Sequence, residues 1–450
     1  MLTFNIKKYT IKTKGGIILE RKIMIELEKW KKKSEDRLPL ILYGARQVGK
    51  TYILKEFATQ YYKDSVYINF EQMNFVKEIF DKELLPDKII LQLERYLKTK
   101  IIPEETLIIL DEIQVCEKAL TSLKYFAEQA NDYHIVCAGS LLGVAINREK
   151  YSFPVGKVQI LNLFPLDFEE FLWEIEGKEL SNHIRENVKT NTPLLTFEHE
   201  KLLELYRTYL ITGGMPAVIL DYSRNKNFDN TRQIQENIIN SYISDMAKYA
   251  TASETTKIRT AYESLPAQLS KDNKKFQFKL LKKGASASNF GTALDWLELA
   301  KIVIKCKKVE QIKKPLEGYS DLSSFKLYMG DVGLLTYKAR LSVDDLMINA
   351  KEISEYMGGV TENYVSQVLL NNNYDLYYWE SEGKAEIDFV VIKDNKIIPI
   401  EVKANDNVKS RSLSVFCNRF NPEYSIRISS KNIGFDNGIK SIPLYAAFCI

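Results

Sequence analysis

The feature that most constrains the fold is the string GARQVGKT, which runs from Gly44 to Thr51. An apolar run, Leu38–Tyr43, precedes it and an amphipathic segment follows it, so a strand leads through a glycine loop into a helix. Gly44 and Gly49 permit close approaches that a Cβ would obstruct, so successive N–H groups can wrap phosphates. A chance glycine turn is the alternative, and the strand and helix on the flanks disfavour it. The string therefore predicts a phosphate-binding loop.

Each residue type in this loop has a predicted task in binding a nucleotide. Lys50 should reach the β- and γ-phosphates as a point charge, and the Thr51 hydroxyl is placed to complete the coordination of Mg²⁺. The N-terminus of the following helix adds its dipole. ATP and Mg²⁺ are the predicted cofactors, and the sequence leaves open whether GTP is excluded. The predicted nucleotide-binding residues are Gly44, Ala45, Arg46, Gln47, Val48, Gly49, Lys50, Thr51, Tyr52, Asp111 and Ser140.

A second motif lies where the apolar run Leu107–Leu110 ends in two adjacent carboxylates, Asp111 and Glu112. Asp111, at the C-terminal edge of a buried strand, can hold magnesium through water. Glu112 is then placed to polarise the attacking water as a general base. An ordinary buried strand that enters a polar loop would be the better interpretation only without the glycine loop. Together the two motifs predict nucleotide hydrolysis.

Strand-like and helix-like segments alternate along the first part of the chain, which predicts a parallel sheet covered on both faces. Ligands of such sheets bind beyond the carboxyl ends of the strands, where Gly44, Asp111 and Ser140 all fall. Ser140 is predicted either to sense the γ-phosphate or to cap the next helix. The further predicted strands are Val66–Phe70, Leu107–Asp111, His134–Ser140 and Val158–Leu163, and the helical segments include Phe75–Leu97 and Glu117–Asn131.

The size of the chain and its charge limit the classes of protein to which it can belong. A length of 450 residues predicts two to four domains. The net charge of +4 is too weak to indicate a nucleic-acid binder, so such a role must rest on local patches. Five scattered cysteines and three histidines fit a reduced cytosolic protein without a zinc site. No apolar stretch approaches the ~18 residues that span a bilayer, so no membrane association is expected.

The strings GARQVGKT, LIILDEIQ, CAGSLLG and FPLDFEEFL resemble the AAA-type ATP-binding proteins of bacteria and archaea. The resemblance continues through ITGGMPAVI, LPAQLSKDNKKF, WLELAKIV, FKLYMGDVGLL and EIDFVV, so it covers nearly the whole chain. It implies an α/β protein with a P-loop NTPase parallel sheet. The implied parts are an AAA-type ATPase core with an N-terminal extension (1–175), a helical lid (176–255), a winged-helix-like segment (256–340) and a restriction-endonuclease-like α/β domain (341–450).

The chain departs from that family pattern at Gly156-Lys157, where the family is expected to have Gly-Arg. If the family arginine stabilises transition-state charge, Lys157 is a weaker substitute because it lacks the planar fork of an arginine. Arg148 is another candidate for this role. A solvated surface lysine is the other interpretation of Lys157.

A basic stretch in the middle of the chain makes DNA a predicted partner. Leu269–Gly284 concentrates lysines beside two phenylalanines and could meet a phosphate backbone. The helical apolar face of Ser286–Leu299 next to it is compatible with a winged-helix reader. Val303–Lys314 holds a second basic run. A solvated face is the alternative for both runs.

The last hundred residues carry a second group of candidate catalytic residues on a predicted hairpin. Its strands are Glu386–Val391 and Ile397–Ile400, with a turn at Asn395, and Tyr377–Glu380 precedes them. A side-chain period of two places Glu401 and Lys403 on one face, and Asp388 can lie opposite them.

Two carboxylates beside a lysine are what metal-dependent phosphodiester hydrolysis needs. Asp388 and Glu401 would hold Mg²⁺, and Lys403 would orient or help to deprotonate the attacking water. Glu362, in the helical stretch Gly359–Leu370, sits where related nucleases often place a further acidic ligand. The alternative is the ordinary alternation of charged and apolar residues on a half-exposed strand. The predicted metal ligands are thus Thr51 and Asp111 at one site and Asp388, Glu401 and Glu362 at the other.

Three functions from different classes remain open. The first is an ATP-driven enzyme whose C-terminal domain cuts nucleic acid. The second is a nucleotide-operated switch that grips DNA or protein, with Glu401 and Lys403 as a structural ion pair. The third is a homo-oligomer, a ring or a dimer, whose packing ATP controls. ATP binding and hydrolysis are predicted in all three.

Overall fold

A computed structural model describes residues 19–34, 36–139, 153–348, 350–381, 385–405 and 411–450. The chain divides into two compact units, Met1–Phe164 and Pro165–Ile450, which we call the N-terminal and the C-terminal unit. Among the described residues, no helix is both long and apolar enough to cross a lipid bilayer.

The N-terminal unit contains a five-stranded, fully parallel sheet in the order β2-β3-β4-β1-β5. β3 and β4 are buried along their whole length, as expected for strands that are covered on both faces. The predicted parallel α/β sheet is therefore confirmed. Its strands are β1 (Leu40–Tyr43), β2 (Asp64–Asn69), β3 (Thr106–Asp111), β4 (His134–Ala138) and β5 (Gln159–Asn162), and its described helices are α1 (Ile23–Lys31), α2 (Lys50–Tyr61), α3 (Asn74–Lys82), α4 (Pro86–Leu97) and α5 (Glu117–Gln129).

The helical segment predicted over Phe75–Leu97 is two helices, α3 and α4. Pro86 is the first residue of α4, where its missing N–H costs nothing. Leu85 before it is extended, because a proline disfavours helical geometry in the residue that precedes it. The predicted helical segment is therefore helical but interrupted between Lys82 and Pro86.

The C-terminal unit contains a mixed eight-stranded sheet in the order β12-β13-β11-β10-β9-β8-β6-β7. Its strands are β6 (Val303–Val309), β7 (Ser320–Met329), β8 (Tyr377–Ser381), β9 (Ala385–Lys393), β10 (Lys396–Val402), β11 (Ser425–Ser429), β12 (Gly434–Asp436) and β13 (Ile439–Pro443). Its described helices are α6 (Phe168–Ile175), α7 (Lys178–Thr190), α8 (Thr196–Thr212), α9 (Pro216–Asn225), α10 (Thr231–Tyr249), α11 (Ala252–Leu269), α12 (Ala287–Leu299), α13 (Val332–Lys338), α14 (Val343–Ile348), α15 (Ser354–Asn371) and α16 (Arg411–Phe420).

The predicted hairpin near the C-terminus is present as β9 and β10, which pair antiparallel with Ile400 opposite Phe389. Asp394 and Asn395 join them with φ of 48° and 61°. Two consecutive left-handed residues are typical of the tight turn that matches the twist of a hairpin.

The strands of the middle of the chain belong to the same sheet as this hairpin. β6 pairs antiparallel with β7, and it pairs in parallel with β8 through Lys307 and Lys308. The segment expected to be winged-helix-like, residues 256–340, therefore contributes two strands to the sheet of the expected nuclease-like domain. The four-part division of the chain stays a prediction, and the structure adds this continuity between its last two parts.

Candidate functional site

The glycine loop joins the end of β1 at Tyr43 to the start of α2 at Lys50. Gln47 and Gly49 have left-handed backbones, with φ of 66° and 94°. Alternation of right- and left-handed residues is the arrangement that builds an anion-binding concavity from backbone N–H groups. A Cβ on Gly44 would lie 2.2 Å from the carbonyl oxygen of Leu163, so only glycine fits there.

Lys50 is the first residue of α2, and its side chain lies inside the loop. The residue is only 8% exposed. Its Nζ donates to the carbonyl oxygens of Gly44 at 2.9 Å and Ala45 at 2.7 Å. The ammonium therefore lies at the positive end of a helix and beside the concavity, where a phosphate is stabilised.

Asp111 is the last residue of β3, and its carboxylate accepts hydrogen bonds from two hydroxyl groups. Its Oδ2 accepts hydrogen bonds from Thr51 Oγ1 at 2.8 Å and from Tyr67 Oη at 2.7 Å. Thr51 and Asp111 thus present adjacent hard oxygen atoms, which are the ligands that Mg²⁺ prefers. This donor set fits the ion that the sequence predicts here.

Glu112 follows Asp111 with a left-handed backbone, φ 53°. Gln114 Nε2 donates to its Oε2 at 2.6 Å, which fixes the carboxylate. Burial is the main effect that raises the pKa of Glu112, and the charges of Asp111 and Glu71 raise it further against the opposing effects of Gln114 and Lys50. A carboxylate with a raised pKa is a better proton acceptor near neutral pH.

The remaining predicted residues of this site are placed as follows. Ala45 and Val48 are buried, whereas Arg46, Gln47 and Tyr52 are exposed. Ser140 and Arg148 lie outside the described residues. Lys157 Nζ lies 3.0 Å from Glu128 Oε1, so it forms a surface ion pair.

Two contacts of this site were not predicted from the sequence. Tyr67 in β2 reaches Asp111 because β2 lies next to β3 in the sheet. Arg21 donates to the carbonyl oxygens of Val48 at 3.1 Å and Phe164 at 2.7 Å, so a residue before α1 holds the loop. No local motif marks Tyr67 or Arg21, since both contacts depend on the assembled fold.

In the C-terminal unit, the hairpin brings Asp388, Glu401 and Lys403 together. Asp388 Oδ2 accepts from the backbone N–H of Val402 at 2.8 Å. Glu401 Oε1 lies 3.4 Å from Lys403 Nζ, and its Oε2 lies 3.6 Å from Arg427 Nε. The spatial arrangement expected from the hairpin is thus present, and each of these two carboxylates faces a donor or a cation.

Glu362, in α15, lies between two lysines. Its Oε1 is 2.8 Å from Lys274 Nζ, and its Oε2 is 3.3 Å from Lys326 Nζ. Lys326 also contacts Glu386 Oε1 at 2.5 Å and lies 4.0 Å from Asp388 Oδ1. We call the four acids Glu362, Glu386, Asp388 and Glu401 the acidic centre.

Burial and neighbouring charges set the ionisation of Glu362, Asp388 and Lys326. Burial would raise the pKa of Glu362, but the charges of Lys326 and Lys274 outweigh it and hold that pKa well below its usual range. Burial and the charge of Glu362 raise the pKa of Asp388. Burial opposes the charge on Lys326, yet the nearby acids raise its pKa well above the usual value. Lys326 and Glu362 are therefore a charged buried pair.

The lysine-rich stretch 269–284 does not lie entirely toward solvent. Lys274 pairs with Glu362, and Lys275 Nζ lies 2.5 Å from Glu380 Oε1. A contact of this stretch with DNA would therefore depend on its other lysines. Within the part of the chain that the structure describes, no group of three or more histidine, cysteine, aspartate or glutamate side chains is arranged to hold a metal ion.

Three family models match successive parts of the chain. The model described as "AAA domain" matches residues 36–172. Two models described as "Domain of unknown function", DUF8612 and DUF4143, match residues 203–345 and 357–447. Residues 36–172 are therefore an AAA-type P-loop domain, and the families of the C-terminal unit carry no assigned activity.

The chain is also similar to a curated protein and to solved structures. The uncharacterized protein MJ1544 of Methanocaldococcus jannaschii is 25% identical over 389 residues, which cover 84% of this chain and 77% of that protein. The Walker-type ATPase of Pyrococcus abyssi is 15% identical, with 71% of this chain and 96% of that one covered and a TM-score of 0.45. The ORC2 protein of Aeropyrum pernix is 13% identical, with 73% and 95% covered and a TM-score of 0.35.

Proposed function

We propose that the protein is a magnesium-dependent ATPase whose nucleotide cycle operates its C-terminal unit. The observation that carries the proposal is the convergence of Lys50, Thr51, Asp111 and Glu112 at the carboxyl ends of β1 and β3. The match of residues 36–172 to an AAA domain also supports it. The five cysteines form no disulfide bond, which fits a cytosolic location for this activity.

The residues of the loop bind and orient the phosphates. The backbone concavity and the N-terminus of α2 receive the negative charge. Lys50 exchanges the neutral carbonyl oxygens of Gly44 and Ala45 for charged phosphate oxygens, which form stronger hydrogen bonds. The strongest contacts of the loop are thus made with the phosphate group that reacts.

Mg²⁺, when bound by Thr51 and Asp111, would neutralise charge that develops on the phosphate oxygens. Tyr67 orients Asp111, and Gln114 orients Glu112. Glu112 accepts a proton from the attacking water, a task that its partly buried carboxylate can perform near neutral pH.

Lys50→Ala and Glu112→Gln separate binding from hydrolysis. Lys50→Ala should lose tight ATP binding in calorimetric titration, because the point charge on the phosphates is removed. Glu112→Gln should bind ATP with nearly normal affinity and hydrolyse it about 100-fold more slowly or worse, because the proton acceptor is lost. The exposed Glu117→Gln is the matched control and should behave as the unaltered protein. Normal turnover in Glu112→Gln would exclude that residue as the base, and normal binding in Lys50→Ala would exclude this nucleotide site.

A second candidate function concerns the C-terminal unit, which either cleaves nucleic acid or grips DNA or protein without cleavage. The arrangement of Asp388, Glu401 and Lys403 supports cleavage. The cations that face these acids, among them Arg427, favour the nucleotide-operated binding switch. Incubation with DNA and RNA in Mg²⁺ or Mn²⁺, with and without ATP, distinguishes the two. Cleavage that Asp388→Ala abolishes would establish a nuclease, and intact nucleic acid beside normal ATPase activity would support the switch.

The third function, an oligomer controlled by ATP, makes a separate prediction. The sedimentation coefficient of the protein should then rise with protein concentration in the presence of ATP. Lys50→Ala should abolish the rise, because it removes nucleotide binding. An unchanged coefficient would leave the ATPase proposal intact and would exclude nucleotide-controlled assembly.

A further inference from the structure

The ammonium of Lys326 lies among three carboxylates that two separate elements supply. Glu362 comes from α15, and Glu386 and Asp388 come from β9. Their nearest oxygens lie 3.3, 2.5 and 4.0 Å from Lys326 Nζ. Lys326 itself belongs to β7 and therefore enters the acidic centre from a third element.

Lys326 has no exposed surface, although it is a lysine. A buried ammonium is costly unless charged and hydrogen-bonding partners surround it. Glu362 and Glu386 are within direct contact, and the ring of Tyr378 lies 5.2 Å from Nζ. The fold therefore specifies a cation at this point.

The charges at this point nearly balance without any added ion. With all three acids ionised, Glu362, Glu386 and Asp388 contribute three negative charges against two positive charges from Lys274 and Lys326. Because the pKa of Asp388 is raised, the remaining excess is less than one negative charge. A divalent cation that bound Asp388 would lie within a few ångströms of the Lys326 ammonium and be repelled by it.

The other oxygens of the predicted metal ligands already have partners. Asp388 Oδ2 accepts from the N–H of Val402, and Glu401 faces Lys403 and Arg427. A metal ion needs such oxygens with their lone pairs directed at one point. The donor set of the acidic centre therefore does not fit the Mg²⁺ that the sequence predicts at Asp388, Glu401 and Glu362.

We infer that the ammonium of Lys326 takes the place of a divalent metal ion in the acidic centre. The acids Glu362, Glu386 and Asp388 then hold α15 against β7 and β9 through an internal cation. The C-terminal unit is, by this inference, a binding module without metal-dependent cleavage. The inference concerns the C-terminal unit alone, so it stands or fails separately from the proposed ATPase.

Manganese binding tests the inference on the full chain without nucleotide. Water-proton relaxation should give the same Mn²⁺ titration for the unaltered protein and for Asp388→Asn. No saturable Mn²⁺ site is then lost with Asp388. Thermal unfolding provides the second arm, because removal of Lys326 should open the place for a metal ion. Lys326→Met should lower the Tm of the C-terminal unit by about 10 °C, and Mn²⁺ should restore part of that loss. Mn²⁺ should leave the Tm of the C-terminal unit unchanged in the unaltered protein and in the exposed-lysine control Lys313→Met.

The double variant Lys326→Met/Glu362→Gln keeps the test decisive if Lys326→Met does not fold. Removal of one acid together with the cation should restore folding, because the excess negative charge is reduced. A double variant that is no more stable than Lys326→Met would contradict the role of the lysine as counter-ion. A stoichiometric Mn²⁺ site in the unaltered protein that is lost in Asp388→Asn would overturn the inference outright, whatever the ATPase assays give.

Discussion

Glu112 combines a left-handed backbone with a partly buried carboxylate, and this environment has a kinetic consequence. A general base must be deprotonated, so its activity falls as the pH falls through its pKa. Burial raises the pKa of Glu112, so the acid limb of ATPase kcat should lie at higher pH than an ordinary glutamate would give. Measurement of kcat from about pH 5 to about pH 8 at saturating ATP checks this. An acid limb that persists unchanged in the residual activity of Glu112→Gln would assign it to another group.

Gly44 offers a second residue-scale prediction, because a Cβ there would lie 2.2 Å from the Leu163 carbonyl oxygen. Gly44→Ala should displace the loop, lower the free energy of unfolding by about 1–3 kcal/mol and weaken ATP binding. Urea unfolding and ATP titration measure the two effects. Gly434→Ala is the matched control, since a Cβ on Gly434 meets nothing within 4 Å. Equal behaviour of the two variants would contradict the steric argument.

At the residue scale the sequence predicts what a fixed spacing places together. Lys50, Thr51 and Asp111 belong to motifs whose geometry follows from a strand, a loop and a helix, and the structure brings them into contact. Lys326 was not predicted, because a lysine in a strand usually faces solvent. Its neighbours Phe325 and Leu327 are buried along with it, so this part of β7 is enclosed on both faces. The signal available in the sequence was the run of apolar residues around this lysine, Phe325, Leu327, Tyr328 and Met329.

At the scale of single elements, Asp331 connects the start of α13 to the loop after α8. Its Oδ1 accepts from the N–H of Leu334 at 2.9 Å, and its Oδ2 accepts from the N–H of Gly214 at 2.7 Å. Asp331→Ala should reduce the free energy of unfolding by about 2–4 kcal/mol, because a helix cap is lost and buried N–H groups are left unpaired. Thr251→Ala, at the exposed cap of α11, should cost only about 1 kcal/mol. Urea unfolding of both variants tests the difference. Equal decreases in the free energy of unfolding would contradict the larger effect expected for the buried cap.

The elements themselves were predictable where local chemistry decides them. The β9–β10 hairpin follows from alternation and from the Asp394–Asn395 turn. The break between α3 and α4 was missed although Pro86 was visible in the sequence. The pairing of β6 with β8 could not be predicted, because the choice of a distant strand partner leaves no local pattern.

For the whole molecule, the two compact units predict two unfolding transitions. A ligand that binds only the folded form stabilises it by RT ln(1 + [L]/Kd), about 2.7 kcal/mol at a hundredfold excess over Kd. ATP with Mg²⁺ should therefore raise the Tm of the N-terminal unit by more than it shifts the Tm of the C-terminal unit in calorimetry. Lys50→Ala should remove the shift. A single transition that moves as a whole would contradict independent unfolding of the units.

The pairing of Lys326 with its neighbouring carboxylates also has a consequence for the evolution of the chain. The lysine lies in the part of the chain matched by one family model, residues 203–345, and Glu362, Glu386 and Asp388 lie in the part matched by another, residues 357–447. A recombination event between the two parts would separate the ammonium from its carboxylates and leave a buried excess of negative charge. We expect the two parts to descend together as one block, and a lineage that lost the lysine to have lost an acid with it.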